Sequence, residues 1–273
     1  MPRDRSSPMP ACHTNCGPMS ELLADITEDA FLGGRLHLRQ PRTGHRSGHD
    51  AILLAAATTA RAGDRVVEFG AGVGAAGLAL AKRIGGLDLV LVEIDPQLAR
   101  LARDNASANS IVADVIVLDV TSTAEAFAAA GLKADSADAV LMNPPFNDAA
   151  RHRASPDPAR ASAHVADSET LETWIHASRR LLKSGGALTL IWRADGLSEV
   201  LAALGRGFGS LSILPVHGDA ARPAIRVLIR AVKGGRAPTC ILPSLLLNDE
   251  SGLPNKQLAK MLAGEEGLPM ASL

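Results

Sequence analysis

The chain has 273 residues, 47% of them hydrophobic, which suits one large α/β domain or a domain with an appendage. Its formal charge of −1 excludes a global basic field, so any contact with nucleic acid must rest on a local patch. Aromatic residues make up 3% and tyrosine is absent, which argues against an aromatic stacking surface for RNA.

The sequence also disfavours a membrane protein, a disulfide-bonded protein and a metal-binding protein. No apolar run approaches the length of a membrane span, so no membrane association is expected. The three cysteines suggest a reducing compartment without a disulfide framework, and a cytoplasmic location is expected. Cys12 and Cys16 are interpreted as unpaired thiols rather than metal ligands, because no second ligand cluster follows them, and no metal is expected.

The N-terminal part divides into two predicted segments. Residues 1–20 are rich in Pro, Ser and Arg and lack apolar periodicity, which predicts a disordered leader. Residues 21–60 are predicted to form a strand and a helix that cover a ligand site. Leu36 and Leu38 alternate with polar residues there, as in a half-exposed strand or hairpin. Asp50 then opens a helix, where its carboxylate either caps the first turn or belongs to a turn that closes over a ligand.

Residues 61–236 alternate between apolar runs and helical segments. The predicted strands are residues 65–69, 89–92, 115–118, 139–142 and 187–192, followed by a hairpin-like pair at 211–216 and 224–232. The predicted helices are residues 78–84, 96–109, 124–130, 170–182 and 197–204, with a C-cap turn at 183–186. This alternation predicts an α/β fold with a parallel, doubly wound sheet. Residues 147–167 are predicted to be a polar loop, and the tail at 237–273 to hold an edge strand near Leu245 and a short helix at 257–262.

A glycine loop follows the first predicted strand of this domain. Gly70, Gly72 and Gly74 allow a tight turn and the close approach of a ligand to the N–H groups of the next helix. Glu93 ends the following strand, about where an acid would bind a ribose diol. These residues predict an adenosine-containing cofactor, but they do not separate NAD from S-adenosylmethionine.

Two features favour S-adenosylmethionine. Glu68 stands two residues before Gly70, and a carboxylate there would repel a pyrophosphate but suits a ligand that carries an ammonium and a sulfonium. The strand at 139–142 ends abruptly in Asn143-Pro144-Pro145-Phe146, because proline cannot donate a ladder hydrogen bond. This stiff segment has no role in hydride transfer.

The Asn-Pro-Pro-Phe segment suits transfer of a methyl group to a planar amino nitrogen. The amide oxygen of Asn143 and the backbone carbonyl of Pro144 can accept the two N–H bonds of that nitrogen and orient it. Pro145 stiffens the segment, and Phe146 offers a face on which an unpaired base could stack.

The chain resembles the class I S-adenosylmethionine-dependent methyltransferases that carry an Asn-Pro-Pro-aromatic motif. Over residues 27–233 it is similar to the bacterial group that methylates adenine N6 in the anticodon loop of a valine tRNA. The resemblance implies a Rossmann-like sheet of seven strands, the last antiparallel. It also implies S-adenosyl-L-methionine as cofactor and a set of site residues. The cofactor residues would be Asp50, Glu68, Gly70, Gly72, Gly74, Glu93, Asp119 and Asn143, and the catalytic residues Asn143, Pro144, Pro145 and Phe146.

The motif defines methylation of an amino group more closely than it defines the substrate. Adenine N6 in tRNA is the main hypothesis, with basic residues such as Arg46, Arg151 and Arg153 forming part of a phosphate-binding rim. The alternatives are guanine N2 in rRNA, adenine in DNA, glutamine N5 in a protein, or a cofactor-binding module without turnover. The sequence leaves the oligomeric state open.

Overall fold

A computed structural model describes residues 26–43, 46–145, 158–205, 207–249, 251–253 and 255–272. The strands are β1 (Ile26–Phe31), β2 (Leu36–Pro41), β3 (Arg65–Phe69), β4 (Asp88–Glu93), β5 (Ala113–Val117), β6 (Ala137–Met142), β7 (Leu182–Arg193), β8 (Phe208–His217), β9 (Ala224–Lys233), β10 (Cys240–Ile241) and β11 (Leu245–Leu246). The helices are α1 (His49–Ala57), α2 (Ala75–Ile84), α3 (Pro96–Ala108), α4 (Ala124–Ala129), α5 (Pro158–Leu181), α6 (Leu197–Leu204) and α7 (Lys256–Leu262).

The central sheet has the order β5-β4-β3-β6-β7-β9-β8, with the two-residue strands β10 and β11 beside β8. Strands β3 to β7 run parallel, and β9 lies antiparallel between β7 and β8. The predicted α/β sheet and its antiparallel last strand are confirmed. The chain moves from β3 outward to β5 and then returns to β6 on the other side of β3. This reversal makes a crevice at the carboxyl ends of β3 and β6, the usual place for a ligand in such sheets.

Helices cover both faces of the sheet, as the doubly wound pattern requires. Apolar residues of α1, α2 and α3 form one core cluster with one face, and those of α4, α5 and α6 form the second cluster with the other. Helix α1 is apolar on all sides, and seven of its nine residues are buried. Such a helix needs cover on both flanks. The sheet supplies one flank. Met261 of α7 and Met270 beyond it belong to the same apolar cluster as α1.

The N-terminal hairpin β1–β2 forms a separate two-stranded sheet. Leu36 and Leu38 of β2 are fully buried, whereas the intervening His37 is exposed, so the alternation seen in the sequence is confirmed. The hairpin also meets the tail, because the Arg35 guanidinium donates to the carbonyl of Ala263.

Two sequence predictions are wrong at their boundaries. Helix α5 begins at Pro158, not near residue 170, so the last part of the predicted loop is helical; proline is compatible with a first helical turn. Strand β7 begins at Leu182, where a C-cap turn was predicted. The register shifts there, with Ala137 opposite Leu182 but Ala139 opposite Ala187, and Gly185 has a φ of 80°.

Among the described residues, every helix is too short or too polar to cross a lipid bilayer.

Candidate active site

The predicted site residues gather at the carboxyl edge of the sheet because their strands are neighbours in register. Phe69 of β3 is the partner of Met142 in β6 and of Val92 in β4. The next residue on each of these three adjacent parallel strands is Gly70 on β3, Glu93 on β4 and Asn143 on β6. Adjacent strands lie about 4.8 Å apart, so the three residues are neighbours.

The glycine loop has the tight geometry that the sequence predicts. Gly70, Gly72 and Gly74 all adopt positive φ angles, of 63°, 56° and 86°. Gly70 is required for a second reason: a Cβ there would lie 2.5 Å from Cη2 of Trp174 in α5. The loop is held by hydrogen bonds from the Ala71 N–H to the Val92 carbonyl and from the Gly74 N–H to the Ala71 carbonyl, at 2.9 and 2.8 Å. In front of Gly72, a Cβ would meet nothing within 4 Å, so the loop borders open space.

Glu68 is a buried carboxyl directly beneath this loop. Its side chain accepts a hydrogen bond of 2.7 Å from the N–H of Gly77, in the first turn of α2, and the residue is 5% exposed. Burial, with a smaller contribution from the charge of Glu93 and against the lowering effect of backbone N–H groups, raises the pKa of the Glu68 carboxyl to about 8. A cation placed beside this carboxyl would favour its ionised form.

Glu93 links the end of β4 to the glycine loop. One carboxylate oxygen accepts from the Gly72 N–H at 2.7 Å and the other from the Asp95 N–H at 2.9 Å. The residue is 6% exposed. Each carboxylate oxygen can accept two hydrogen bonds, so Glu93 retains acceptor capacity for a ligand.

The Asn-Pro-Pro segment leaves β6 at the same edge. Pro144 is buried, Pro145 is exposed and Asn143 is half-buried. The Asn143 side-chain oxygen is itself buried and has no hydrogen-bond partner among the described residues. An unpaired buried acceptor is costly, and native structures keep few of them.

Two more predicted cofactor residues lie around this crevice. Asp50, in the first turn of α1, accepts a hydrogen bond of 3.0 Å from Nε of Arg226 at the start of β9. Asp119 follows β5, where it is half-buried and accepts from the N–H of Thr121 at 2.8 Å. Both carboxylates have protein partners, so their roles toward a ligand stay predictions.

The predicted substrate residues are only partly described. Phe146, Arg151 and Arg153 lie outside the described residues. Arg46 is exposed and its guanidinium pairs with Asp29 at 2.6 Å.

The basic residues at the two ends of β9 do not lie together at the site. Arg226 stands at the carboxyl edge of the sheet. Lys233 lies at the other end of β9, where it donates to Asp135 and to the carbonyl of Leu182, at 2.7 Å each.

Two residues around the glycine loop could not be predicted from the sequence. Trp174 packs against Gly70 from a helix position with no distinguishing pattern. Asn105 of α3 donates to the carbonyl of Val73 inside the loop at 3.0 Å, although a helical asparagine is ordinarily an exposed polar residue. Asn105 is 1% exposed because of how the fold packs around it, and no local sequence pattern predicts that burial.

The strand order, the glycine loop after β3 and the acid at the end of β4 define a class I methyltransferase. Residues 48–217, more than half of the chain, match the family model described as the methyltransferase small domain. The chain belongs to this family and is an S-adenosyl-L-methionine-dependent methyltransferase.

Three known proteins illustrate the relationship. The tRNA1(Val) (adenine(37)-N6)-methyltransferase of Dickeya chrysanthemi is 30% identical over 216 residues, covering 76% of this chain and 80% of that protein. The crystal structure of a predicted O-methyltransferase from Agrobacterium tumefaciens is 30% identical, with a TM-score of 0.67 over 80% of this chain and 98% of that one. The 16S rRNA N2 G1207 methyltransferase of Thermus thermophilus, solved with AdoMet and guanosine, shares the fold at 19% identity and a TM-score of 0.52, over 76% of this chain and 50% of that one.

Proposed function

We propose that this methyltransferase transfers a methyl group to an exocyclic amino nitrogen, N6 of an adenine in a tRNA. One observation carries the proposal: the buried oxygen of Asn143 at the carboxyl end of β6, which accepts no hydrogen bond from the described residues. An amino group supplied by a substrate would satisfy this acceptor. The activity for which the Dickeya relative is named supports adenine N6 in tRNA as the particular substrate. Such a role would place the protein in the cytoplasm, together with tRNA.

The residues around the glycine loop fit the cofactor. The open space in front of Gly72 admits a ligand to the backbone, and the buried carboxyls of Glu68 and Glu93 favour a ligand that carries positive charge. S-adenosylmethionine supplies a methyl group activated on a sulfonium. In this proposal Glu93 accepts from the ribose hydroxyls with its remaining lone pairs, while Asp119 contacts the adenine and Asp50 shapes the crevice from α1.

The protein's part in the reaction is to hold the amino nitrogen. The Asn143 oxygen and the Pro144 carbonyl accept its two N–H bonds, which directs the nitrogen lone pair at the methyl group. Positive charge that develops on the nitrogen as it receives the methyl group would strengthen both hydrogen bonds. The nitrogen then loses one proton to water. Pro145 holds the backbone extended, and Phe146 is proposed to stack on the base.

Isotope transfer tests the substrate class. Methyl-labelled S-adenosylmethionine is offered with total tRNA, rRNA, DNA and a protein extract in parallel, and labelled nucleic acid is digested to nucleosides. We expect N6-methyladenosine from tRNA. Label in rRNA guanine, DNA adenine or protein glutamine would replace the proposed substrate, and label on an oxygen would favour the activity named for the Agrobacterium relative.

A pair of asparagine variants tests the residue that carries the proposal. Asn143→Ala should lower kcat by about 100-fold or more, the size of the loss when a transition-state hydrogen-bonding group is removed. Its affinity for S-adenosylmethionine should fall far less than kcat, although the resemblance counts Asn143 among the cofactor residues. Asn248→Ala is the matched control, because the partner of its side-chain amide within the described ranges is the carbonyl of Gly218. Full activity in Asn143→Ala would overturn the mechanism.

A further inference from the structure

Asn105 of α3 and Asn109, the C-cap residue directly after α3, complete the open edge of the N-terminal hairpin. The His37 N–H donates to Oδ1 of Asn109 at 3.0 Å, and Nδ2 of Asn109 donates back to the His37 carbonyl at 2.7 Å. Arg39 and Asn105 repeat the arrangement at 2.8 and 3.0 Å. Each side-chain amide thus takes the place of a strand residue, pairing with one backbone N–H and one backbone C=O.

The geometry of helix and strand makes this pairing possible. Residues four apart on a helix are separated by about 6 Å along its axis, and residues two apart on a strand by about 6.7 Å. Asn105 and Asn109 therefore match the spacing of Arg39 and His37. The two asparagines are 1% and 9% exposed, so water cannot replace these bonds in the folded state.

One of the two asparagines also reaches the glycine loop. Nδ2 of Asn105 donates to the carbonyl of Val73 at 3.0 Å, in addition to its bond with Arg39. Nδ2 of Asn109 instead donates to the carbonyl of Asn105, one turn back in α3. The two residues hold the same hairpin with equal numbers of hydrogen bonds, but only Asn105 joins that hairpin to the loop.

We propose that Asn105 is a positioning residue of the cofactor site, which fixes Val73 of the glycine loop and couples the order of that loop to the docking of the N-terminal hairpin. This inference rests on the proposed role of the glycine loop in holding S-adenosylmethionine. The loop is then braced on two sides, by Glu93 through Gly72 and by Asn105 through Val73. Binding of the cofactor stabilises the hairpin, and a docked hairpin stabilises the bound form of the loop, because such coupling is reciprocal.

Two variants separate positioning from simple attachment of the hairpin. Asn105→Ala and Asn109→Ala each remove two hydrogen bonds to β2, so both should lower the unfolding temperature by similar amounts. Asn105→Ala should raise the Kd for S-adenosylmethionine by about three- to tenfold, the effect of one lost neutral hydrogen bond, and by more than Asn109→Ala, which leaves the bond to Val73 in place. Calorimetry or equilibrium dialysis measures that Kd, at a temperature where both variants are folded. Equal Kd values in the two variants would overturn the inference.

Hydrogen exchange of the unmodified protein provides a test that needs no variant. Adding S-adenosylmethionine should slow exchange of the His37 and Arg39 amides along with those at the start of α2. Protection of α2 without any change in β2 would show that hairpin and loop are independent. Either failure leaves the proposed reaction intact, because that is judged by the methylated product and by Asn143→Ala.

Discussion

At the scale of single residues, the site is built from polar groups that the fold has buried. Asn143 holds an acceptor to which no residue in the described part of the chain donates, and Glu68 holds a carboxyl whose pKa burial raises to about 8. Neither residue stabilises the folded state, since burying its polar group costs free energy that burying an apolar side chain at the same position would not. Both lie beside the open glycine loop, where a ligand with an amino group and a positive charge would offset that cost.

The raised pKa of Glu68 gives the free protein a characteristic pH dependence. The folded state keeps a proton that the unfolded state, with an ordinary pKa near 4.5, has already released. This contribution to stability is therefore fully present below about pH 4.5 and is lost as the pH rises toward 8. Glu68→Gln removes the ionisable group but still offers an oxygen to the Gly77 N–H. We expect the variant to gain unfolding temperature relative to the unmodified protein as the pH is raised from 5.5 to 8.5.

Thermal unfolding at the two pH values, without cofactor, measures this difference. Glu172→Gln is the control, because Glu172 is an exposed side chain on α5. A gap between Glu68→Gln and the unmodified protein that stays constant with pH would show that the Glu68 carboxyl ionises normally in the folded state.

At the scale of elements, apolar runs and the residues that end them were enough to predict the sheet. Strands β3, β4 and β6 are short apolar runs that end at a glycine, an acid or a proline, so their positions follow from local chemistry. The start of α5 could not be predicted, because its first turns lack the apolar spacing that marks the rest of the helix. The clustering of Gly70, Glu93 and Asn143 was predictable from strand order, but the bond from Asn105 to Val73 depends on tertiary packing.

Helix α1 and the tail form one packing unit, which a core substitution can test. Met261 of α7 is 1% exposed and lies in the cluster that covers α1. Met261→Ala should lower the free energy of unfolding by about 2–5 kcal/mol, the usual cost of such a truncation in a core. Leu253→Ala should cost under about 0.5 kcal/mol, because Leu253 is 63% exposed. Urea denaturation measures both values, and similar midpoints for the two variants would contradict the role given to the tail.

At the scale of the whole molecule, the near balance of 28 basic and 29 acidic residues requires local recognition of any nucleic acid. Two of the basic residues near the hairpin have acidic partners, Arg39 with Glu28 at 3.7 Å and Arg46 with Asp29 at 2.6 Å. An approaching phosphate must compete with those carboxylates. Affinity for RNA should therefore be modest and should decline steeply with salt.

A salt titration tests the proposed contact of Arg46 with RNA. Arg46→Ala should weaken tRNA binding and lower the slope of log K against log salt by about 1, the effect of losing one phosphate contact. Arg61→Ala serves as the control, since Arg61 is 90% exposed but precedes β3 at the opposite edge of the sheet. Fluorescence anisotropy with labelled tRNA gives the slopes, and an unchanged slope in Arg46→Ala would remove this residue from the RNA contact.

The contact between Arg35 and Ala263 has a consequence for synthesis of the protein. The two residues are 228 positions apart, yet they join the turn after β1 to the segment after α7. On the ribosome, the hairpin emerges first and must wait for almost the whole chain before its last neighbour is available. The central sheet can assemble earlier, but the cover of α1 is completed only when residues 261–270 have left the exit tunnel. Nascent chains stalled before that point should therefore expose an apolar helix to chaperones, whereas chains stalled beyond it should not.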